Sequence, residues 1–157
     1  QSFFWKNPAV ETVVLRPCHI LGRVHNAASN YARMERPITV MGFDPMLQII
    51  HERDVVAAIT LALQSGSRGI YNLRGPGELP LSKLLRLLGK NPLPIPGPLI
   101  NTVVAGLWNY RATNFPKEEL DHLRYICLVD DRRARRELGF SPRFSIEESA
   151  RAVLAQW

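Results

Sequence analysis

The sequence predicts an α/β fold with a parallel sheet, and three stretches carry that expectation. Thr12-Val-Val-Leu15 is β-branched or apolar with no polar alternation, as strands are when a parallel sheet is covered on both faces. Asp54 to Leu63 is patterned as a helix. Gly69 to Leu73 follows it as a strand, which gives the alternation from which parallel sheets are built. Arg16-Pro17 is expected to end the first strand, because proline has no N–H and biases its predecessor toward an extended conformation. Ligands of open α/β sheets bind just beyond the carboxyl ends of the strands. Pro17, Cys18 and His19 therefore stand where a cofactor or substrate would sit, the plain alternative being a core strand and an ordinary turn.

The remaining elements follow in order. Gln1 to Glu11 reads as a helix tail and a loop broken at Asn7-Pro8. Asn26 to Glu35 is a helix with Ala28, Tyr31 and Ala32 on one face, ended by Arg36-Pro37. Ile38 to Met41 is a short strand, Gly42 to Pro45 a turn, and Leu47 to Ile50 a second extended piece. In the helix from Asp54, the residues Val55, Ile59, Ala62 and Leu63 are expected to share the inward face. Asp54 suits the positive end of the helix dipole, and Gly66 ends the helix. Gly75-Pro76-Gly77 turns the chain into a short helix carrying Leu81, Leu84, Leu85 and Leu88, closed by Gly89. Pro92 to Pro98 is a proline-punctuated loop with Leu93 to Ile95 extended. Leu99 to Tyr110 is apolar at helical spacing, and Pro116 to Leu123 starts another helix. Tyr125 to Val129 is extended. Asp131 caps a helix that ends at Gly139, and Ser145 with Glu148 forms a capping box for the last one.

A chain of 157 residues, nearly half of them apolar, can build one modest core. It opens on Gln1 and Phe3-Phe4-Trp5, an apolar start that reads as part of a longer protein. No charged-then-apolar leader and no long apolar run is present, so neither a signal peptide nor a membrane span is expected. Cys18 and Cys127 lie in separate apolar segments and are expected to be reduced thiols of a cytoplasmic protein. The net charge of +6 raises nucleic acid as a partner. The basic residues are scattered, however, apart from Arg132-Arg133 and Arg135-Arg136. Those four flank Ala134 and Leu138 as the solvated side of a helix, and no aromatic residues interleave with them to stack bases. Nucleic acid is therefore not expected.

Four segments in order resemble the extended short-chain dehydrogenase/reductases, the NAD(P)-dependent sugar epimerases, dehydratases and reductases. They are Leu15-Arg16-Pro17 with Gly22, and Ile49-Ile50-His51-Glu52-Arg53-Asp54-Val55-Val56-Ala57-Ala58. The third is Tyr71-Asn72-Leu73-Arg74-Gly75-Pro76, and the fourth runs from Asp130-Asp131 to Leu138-Gly139-Phe140-Ser141-Pro142. The resemblance spans nearly the whole chain but matches only the C-terminal half of such an enzyme. It implies the C-terminal part of a Rossmann-like parallel sheet plus a small, mostly helical substrate-binding subdomain. Residues 1–157 would then be the substrate-binding portion, with the dinucleotide-binding half outside this chain. The family's Gly-rich turn is missing, and so is its Tyr-x-x-x-Lys pair, in which lysine lowers the tyrosine pKa. The residues four after Tyr31, Tyr71, Tyr110 and Tyr125 are Glu35, Gly75, Asn114 and Val129. No catalytic residue and no metal ligand is therefore assigned here.

By resemblance, Pro17, Cys18 and His19 border the nicotinamide ring of NAD or NADP in the complete protein. His19, Asn30 and Arg124 are the candidate substrate-binding residues, while His51 is expected to orient a helix start. One departure concerns substrate. Leu47 stands where sugar-nucleotide enzymes often carry an arginine on the diphosphate, and leucine cannot supply that bidentate fork. With the apolar segment from Leu99 to Trp108, this points to a less polar substrate, as in the hydroxysteroid and dihydroflavonol reductase branch. Arg124 is the candidate to replace the lost cation. Three readings stay open. The complete protein is an oxidoreductase acting on a nucleotide sugar or on a less polar alcohol or ketone; or it is a non-catalytic dinucleotide-binding regulator; or it is a basic interaction module. A homodimer is compatible with the first two.

Overall fold

The computed structural model of the chain describes residues 6–7, 10–64, 66–100, 102, 124–126 and 128–155. In chain order these residues form β1 (Val13–Pro17), β2 (His19–Leu21), α1 (Ala27–Arg33), β3 (Ile38–Val40), β4 (Met46–Leu47), β5 (Ile49–His51) and α2 (Glu52–Gln64). There follow β6 (Gly69–Leu73), β7 (Leu79–Pro80), α3 (Leu81–Leu87), β8 (Leu93–Ile95), a 3-10 turn (Gly97–Leu99), α4 (Arg132–Leu138) and α5 (Ile146–Leu154). The fold is mixed α/β. Three strand pairs are parallel, β1 with β6, β2 with β5 and β3 with β8, and β4 runs antiparallel to β7. The extended piece expected over Leu47 to Ile50 is divided between β4 and β5 at Gln48, whose buried amide oxygen accepts the Val129 amide at 2.7 Å.

The first strand runs two residues further than expected. The Thr12 carbonyl and the Cys18 amide both bond to β6, so the even-numbered residues face that neighbour. The missing N–H of Pro17 then falls on the other edge, where proline is tolerated. Burial on both faces is not observed either. Val13, Val14 and Leu15 are half-buried and Arg16 is exposed, since β6 is the one neighbour of β1 among the described residues.

Helix α2 is rotated from its expected orientation. Asp54 and Ala58 are buried, with Val55 and Leu61 packed beside them, while Ile59 is 45% and Leu63 82% exposed. The cause is Asp54, which accepts the backbone amides of Arg143 and Phe144 at 2.9 and 3.3 Å. Anchoring that carboxylate inward turns the stripe at 54, 58 and 61 toward the core. The other local signals hold. Leu81, Leu84 and Leu85 bury one face of α3, and Gly139 ends α4 in the left-handed conformation at φ 65°. Ser145 and Glu148 form both bonds of the capping box on α5. Asp131 precedes α4 without capping it; Asp130 Oδ1 accepts the Arg132 amide instead, at 2.9 Å. Among the described residues between Tyr125 and Val129 there is no strand. Apart from Leu99, Ile100 and Thr102, the helix expected over Leu99 to Tyr110 lies outside the described residues, as does the one expected from Pro116 to Leu123.

The core has two parts, separated by β5. Strand alternation sends Ile49 into a cluster with Leu21, Tyr31, Val40, Leu85 and Val153. Ile50 faces the other way, into a cluster with Tyr71, Leu73, Ala134 and Phe140. No helix among the described residues is long and apolar enough to cross a membrane.

Candidate functional site

The residues at the end of β1 stand at a change of partner. Up to Pro17 the chain is paired with β6, and from His19 it is paired with β5. Cys18 lies between them, its amide donating to the Leu73 carbonyl at 2.9 Å. Ligands of open α/β sheets bind just outside the carboxyl ends of the strands, and this turn lies at the carboxyl end of β1. Three segments converge there. His19 registers with Ile49 on β5, and Gly75, leaving β6, donates its amide to the Ile49 carbonyl at 3.1 Å. A Cβ on Gly75 would collide with that carbonyl, so the glycine is required by a close backbone approach. The Cys18 thiol is pushed up to about 12, chiefly by burial. It is an uncharged group packed against the smaller core cluster.

Asn30 lies on α1, which is docked on β2. Asn26 caps that helix by accepting the Ser29 amide at 2.7 Å, and the side chains of Asn26 and Ser29 each donate to the Ile20 carbonyl at 3.1 Å. The Asn30 amide oxygen accepts from Arg33 Nη1 at 3.2 Å. Arg33 also donates to the carbonyls of Val24 and Gly22, at 3.0 and 2.7 Å. Asn30 thus steadies the arginine that holds the loop after β2. Arg124 lies elsewhere, donating from Nη2 to the Gly97 carbonyl at 3.3 Å, with its buried Nε unpartnered among the described residues. Leu47 is buried in the larger core cluster.

His51 has the structural role expected of it. Its Nδ1 accepts the Arg53 amide at 3.1 Å, satisfying an orphan donor at the start of α2. Its ring stacks on Phe144 at 3.9 Å, and burial lowers its pKa. A second brace went unread in the sequence. Asp131, its side chain 2% exposed, receives Arg74 Nε at 3.1 Å and Arg135 Nε at 2.7 Å. Its clue was an acidic residue preceding an arginine pair, but Arg74 is far away in the chain. Two arginines of the basic run are likewise committed. Arg135 holds Asp131, and Arg133 lies over the Tyr71 ring at 4.7 Å while donating to the carbonyls of Arg68 and Ile70. Among the described residues no group of His, Cys, Asp and Glu is placed to hold a metal.

Solved structures with this arrangement are available for comparison. The chain superposes on UDP-glucose 4-epimerase from Thermotoga maritima, solved with UDP-glucose, with a TM-score of 0.68 at 19% identity; 98% of this chain and 48% of that one are covered. The chain has the fold of the C-terminal half of NAD-dependent sugar epimerases and dehydratases. UDP-glucuronic acid 4-epimerase from Bacillus cereus, in complex with NAD, gives 0.63 at 15% identity, covering 96% of this chain and 46% of that one. RMD from Pseudomonas aeruginosa, complexed with NADPH, gives 0.60 at 18% identity, covering 97% and 49%. No family model matches the chain. In sequence it is 28% identical over 152 residues to an uncharacterized protein of Mycobacterium tuberculosis, covering 92% of this chain and 39% of that protein. A second uncharacterized protein of that organism is 29% identical over 143 residues, covering 88% of this chain and 15% of that protein. The chain thus spans well under half the length of the curated relatives it matches, and about half that of the solved structures.

Proposed function

We propose that this chain is the C-terminal, substrate-side portion of an NAD(P)-dependent oxidoreductase of the epimerase and dehydratase kind. The dinucleotide-binding half and the proton-transfer groups belong to the remainder of the protein. The observation that carries the reading is the partner change at Pro17-Cys18-His19, in a fold shared with half of each NAD-dependent epimerase. The residues there fit a nicotinamide ring. The turn is backbone-rich and uncharged at Cys18, and the nearby Asp131 carboxylate is neutralised by Arg74 and Arg135, which suits a flat ring. The cofactor would supply hydride exchange. This chain's residues would border its ring through the backbone of Pro17 and Cys18 and orient substrate through His19. Asn30 supports the substrate side through Arg33, and Arg124 is a candidate cation.

His19 tests the reading. In the complete protein, His19→Ala is expected to lower kcat/KM at least tenfold, roughly the effect of one lost hydrogen bond to substrate, with little loss of stability. An unaltered kcat/KM across sugar nucleotides and apolar alcohols removes His19 from the site.

One observation favours a less polar substrate over a sugar nucleotide. Leu47 is built into the core rather than left beside a cavity, so the position has no room for a diphosphate-binding arginine. On this reading the complete protein reduces or oxidises an apolar alcohol or ketone. Tight calorimetric binding of a UDP-sugar by the complete protein would defeat it.

A further inference from the structure

A cavity of about 290 Å³ opens where the end of β5 meets α5. Its lining includes three arginines from separate segments: Arg23 after β2, Arg53 in the first turn of α2, and Arg151 on α5. Its back is the stacked pair His51 and Phe144. Among the described residues, none of the three guanidinium groups has a hydrogen bond or an ion pair. This sets them apart from Arg33, Arg74, Arg133 and Arg135, whose side chains are all engaged.

Two carboxylates share the lining, and both have other work. Glu52 Oε2 accepts the Val24 amide at 3.1 Å. Glu148 accepts the Ser145 amide at 2.7 Å in the capping box, and these bonds from Ser145 hold its pKa below the usual carboxylate value. His51 adds no charge at neutral pH, since burial lowers its pKa and its Nδ1 already accepts a backbone amide. The cavity therefore has three guanidinium groups without a hydrogen bond or ion pair among the described residues, against two carboxylates bonded to backbone amides, one of which, Glu148, also feels the charge of Arg151. Guanidinium groups converging from three segments suit a multivalent oxyanion, which takes paired N–H bonds from each fork. The volume is at the lower end of small-molecule sites, which run from roughly 300 Å³ upward. It suits a phosphate with a small substituent resting on the ring pair.

We infer that this cavity binds a small phosphate-bearing anion through Arg23, Arg53 and Arg151. The site joins the loop after β2, the start of α2 and the last helix, so occupancy ties three elements together. The ligand is either free phosphate or a phosphomonoester, and the two differ in whether the ring pair adds affinity. The assignment does not depend on the oxidoreductase reading, because no residue of the Pro17-Cys18-His19 turn lines the cavity.

The test is calorimetric titration of the complete protein with inorganic phosphate and with glycerol phosphate at fixed ionic strength. Saturable binding is expected for at least one of them, and tighter binding of glycerol phosphate would assign the site to phosphomonoesters. Each of Arg23→Gln, Arg53→Gln and Arg151→Gln should weaken it about tenfold, the worth of one charge-assisted hydrogen bond. All three side chains are exposed, so folding should survive their replacement. Ala152→Glu, which adds a carboxylate to the lining, should abolish binding. Arg86→Gln, an exposed arginine on α3, should leave it unchanged. Absence of saturable binding by both ligands, or equal affinity of the three Gln variants and the parent, overturns the inference.

Discussion

At the scale of single residues, burial sets the chemistry of Cys18 and His51. Cys18 is half-buried at the partner change of β1, and desolvation lifts its thiol from 9.0 to about 12. The thiolate is the reactive form, so the folded protein should be inert at this residue. Alkylation of Cys18 by iodoacetamide at pH 8, followed by peptide mass spectrometry, should be at least tenfold slower in the native protein than in denaturant; equal rates would show an accessible thiol. His51 behaves in the opposite sense, since burial lowers its pKa below 6.5. The folded state therefore releases the proton more readily than the unfolded chain. The stability this group contributes is complete above pH 6.5 and is lost as pH falls through the lower folded value. Melting temperature should drop between pH 6.5 and pH 5, and His51→Gln should flatten that part of the profile. An unchanged slope in the variant would place the acid sensitivity elsewhere.

At the scale of elements, two braces fix how the helices meet the strands. Asp131 ties α4 to the residue that follows β6, through Arg135 and Arg74. Removing its carboxylate leaves two partly exposed arginines facing each other. Asp131→Ala should cost about 2–3 kcal/mol in denaturant titration, below the roughly 3–5 kcal/mol of a fully buried pair. A loss under about 0.5 kcal/mol, the scale of a surface contact, would show that the pair is not structural. Gly75→Ala would force β6's exit away from the Ile49 carbonyl, at a cost on the order of 2–4 kcal/mol. The sequence made some of these elements plain and hid others, and reach along the chain separates the two groups. The Ser145 and Glu148 capping box, the leucine stripe of α3 and Gly139 depend on residues three or four apart. They were legible because local geometry decides them. The orientation of α2 depends on Asp54 bonding to amides 89 and 90 residues away, and Arg74 reaches Asp131 across 57 residues. Apolar spacing along a helix carries no trace of such contacts. It put Ile59 and Leu63 inward because they match the period, while one buried carboxylate turned the helix the other way. The partner change at Pro17 was legible as a strand end, but the meeting with Ile49 and Gly75 was not, because it is made by register.

At the scale of the whole molecule, the surface around β1 has the character of an interior. A groove of about 460 Å³ runs between β1 and α2, lined by Val13, Leu15, Ile59, Ala62 and Leu63. Val56, Ile59 and Leu63 are exposed on the same helix. Beside the groove, the odd-numbered residues of β1 present their backbone groups on the edge away from β6, with no strand against them among the described residues. An apolar strand with an open edge is a template for pairing with another chain, and apolar patches of this kind mark interaction surfaces. The solved epimerases are about twice as long as the part that this chain matches, and we propose that the corresponding further length covers this groove and edge. We therefore expect the 157-residue chain, expressed alone, to self-associate and to bind NAD(P)H weakly or not at all. Hydride transfer also needs a cofactor held by its pyrophosphate as well as its ring, and on the proposed reading the turn at Pro17-Cys18-His19 would border only the ring. Light scattering after size exclusion should report species above the monomer mass. Leu63→Lys should raise the monomer fraction with little cost in stability, since that side chain is 82% exposed. Titration of NAD(P)H fluorescence should give no saturation in the micromolar range. A folded monomer that binds NAD(P)H at micromolar concentration would mean that the groove and the edge need no further chain to cover them.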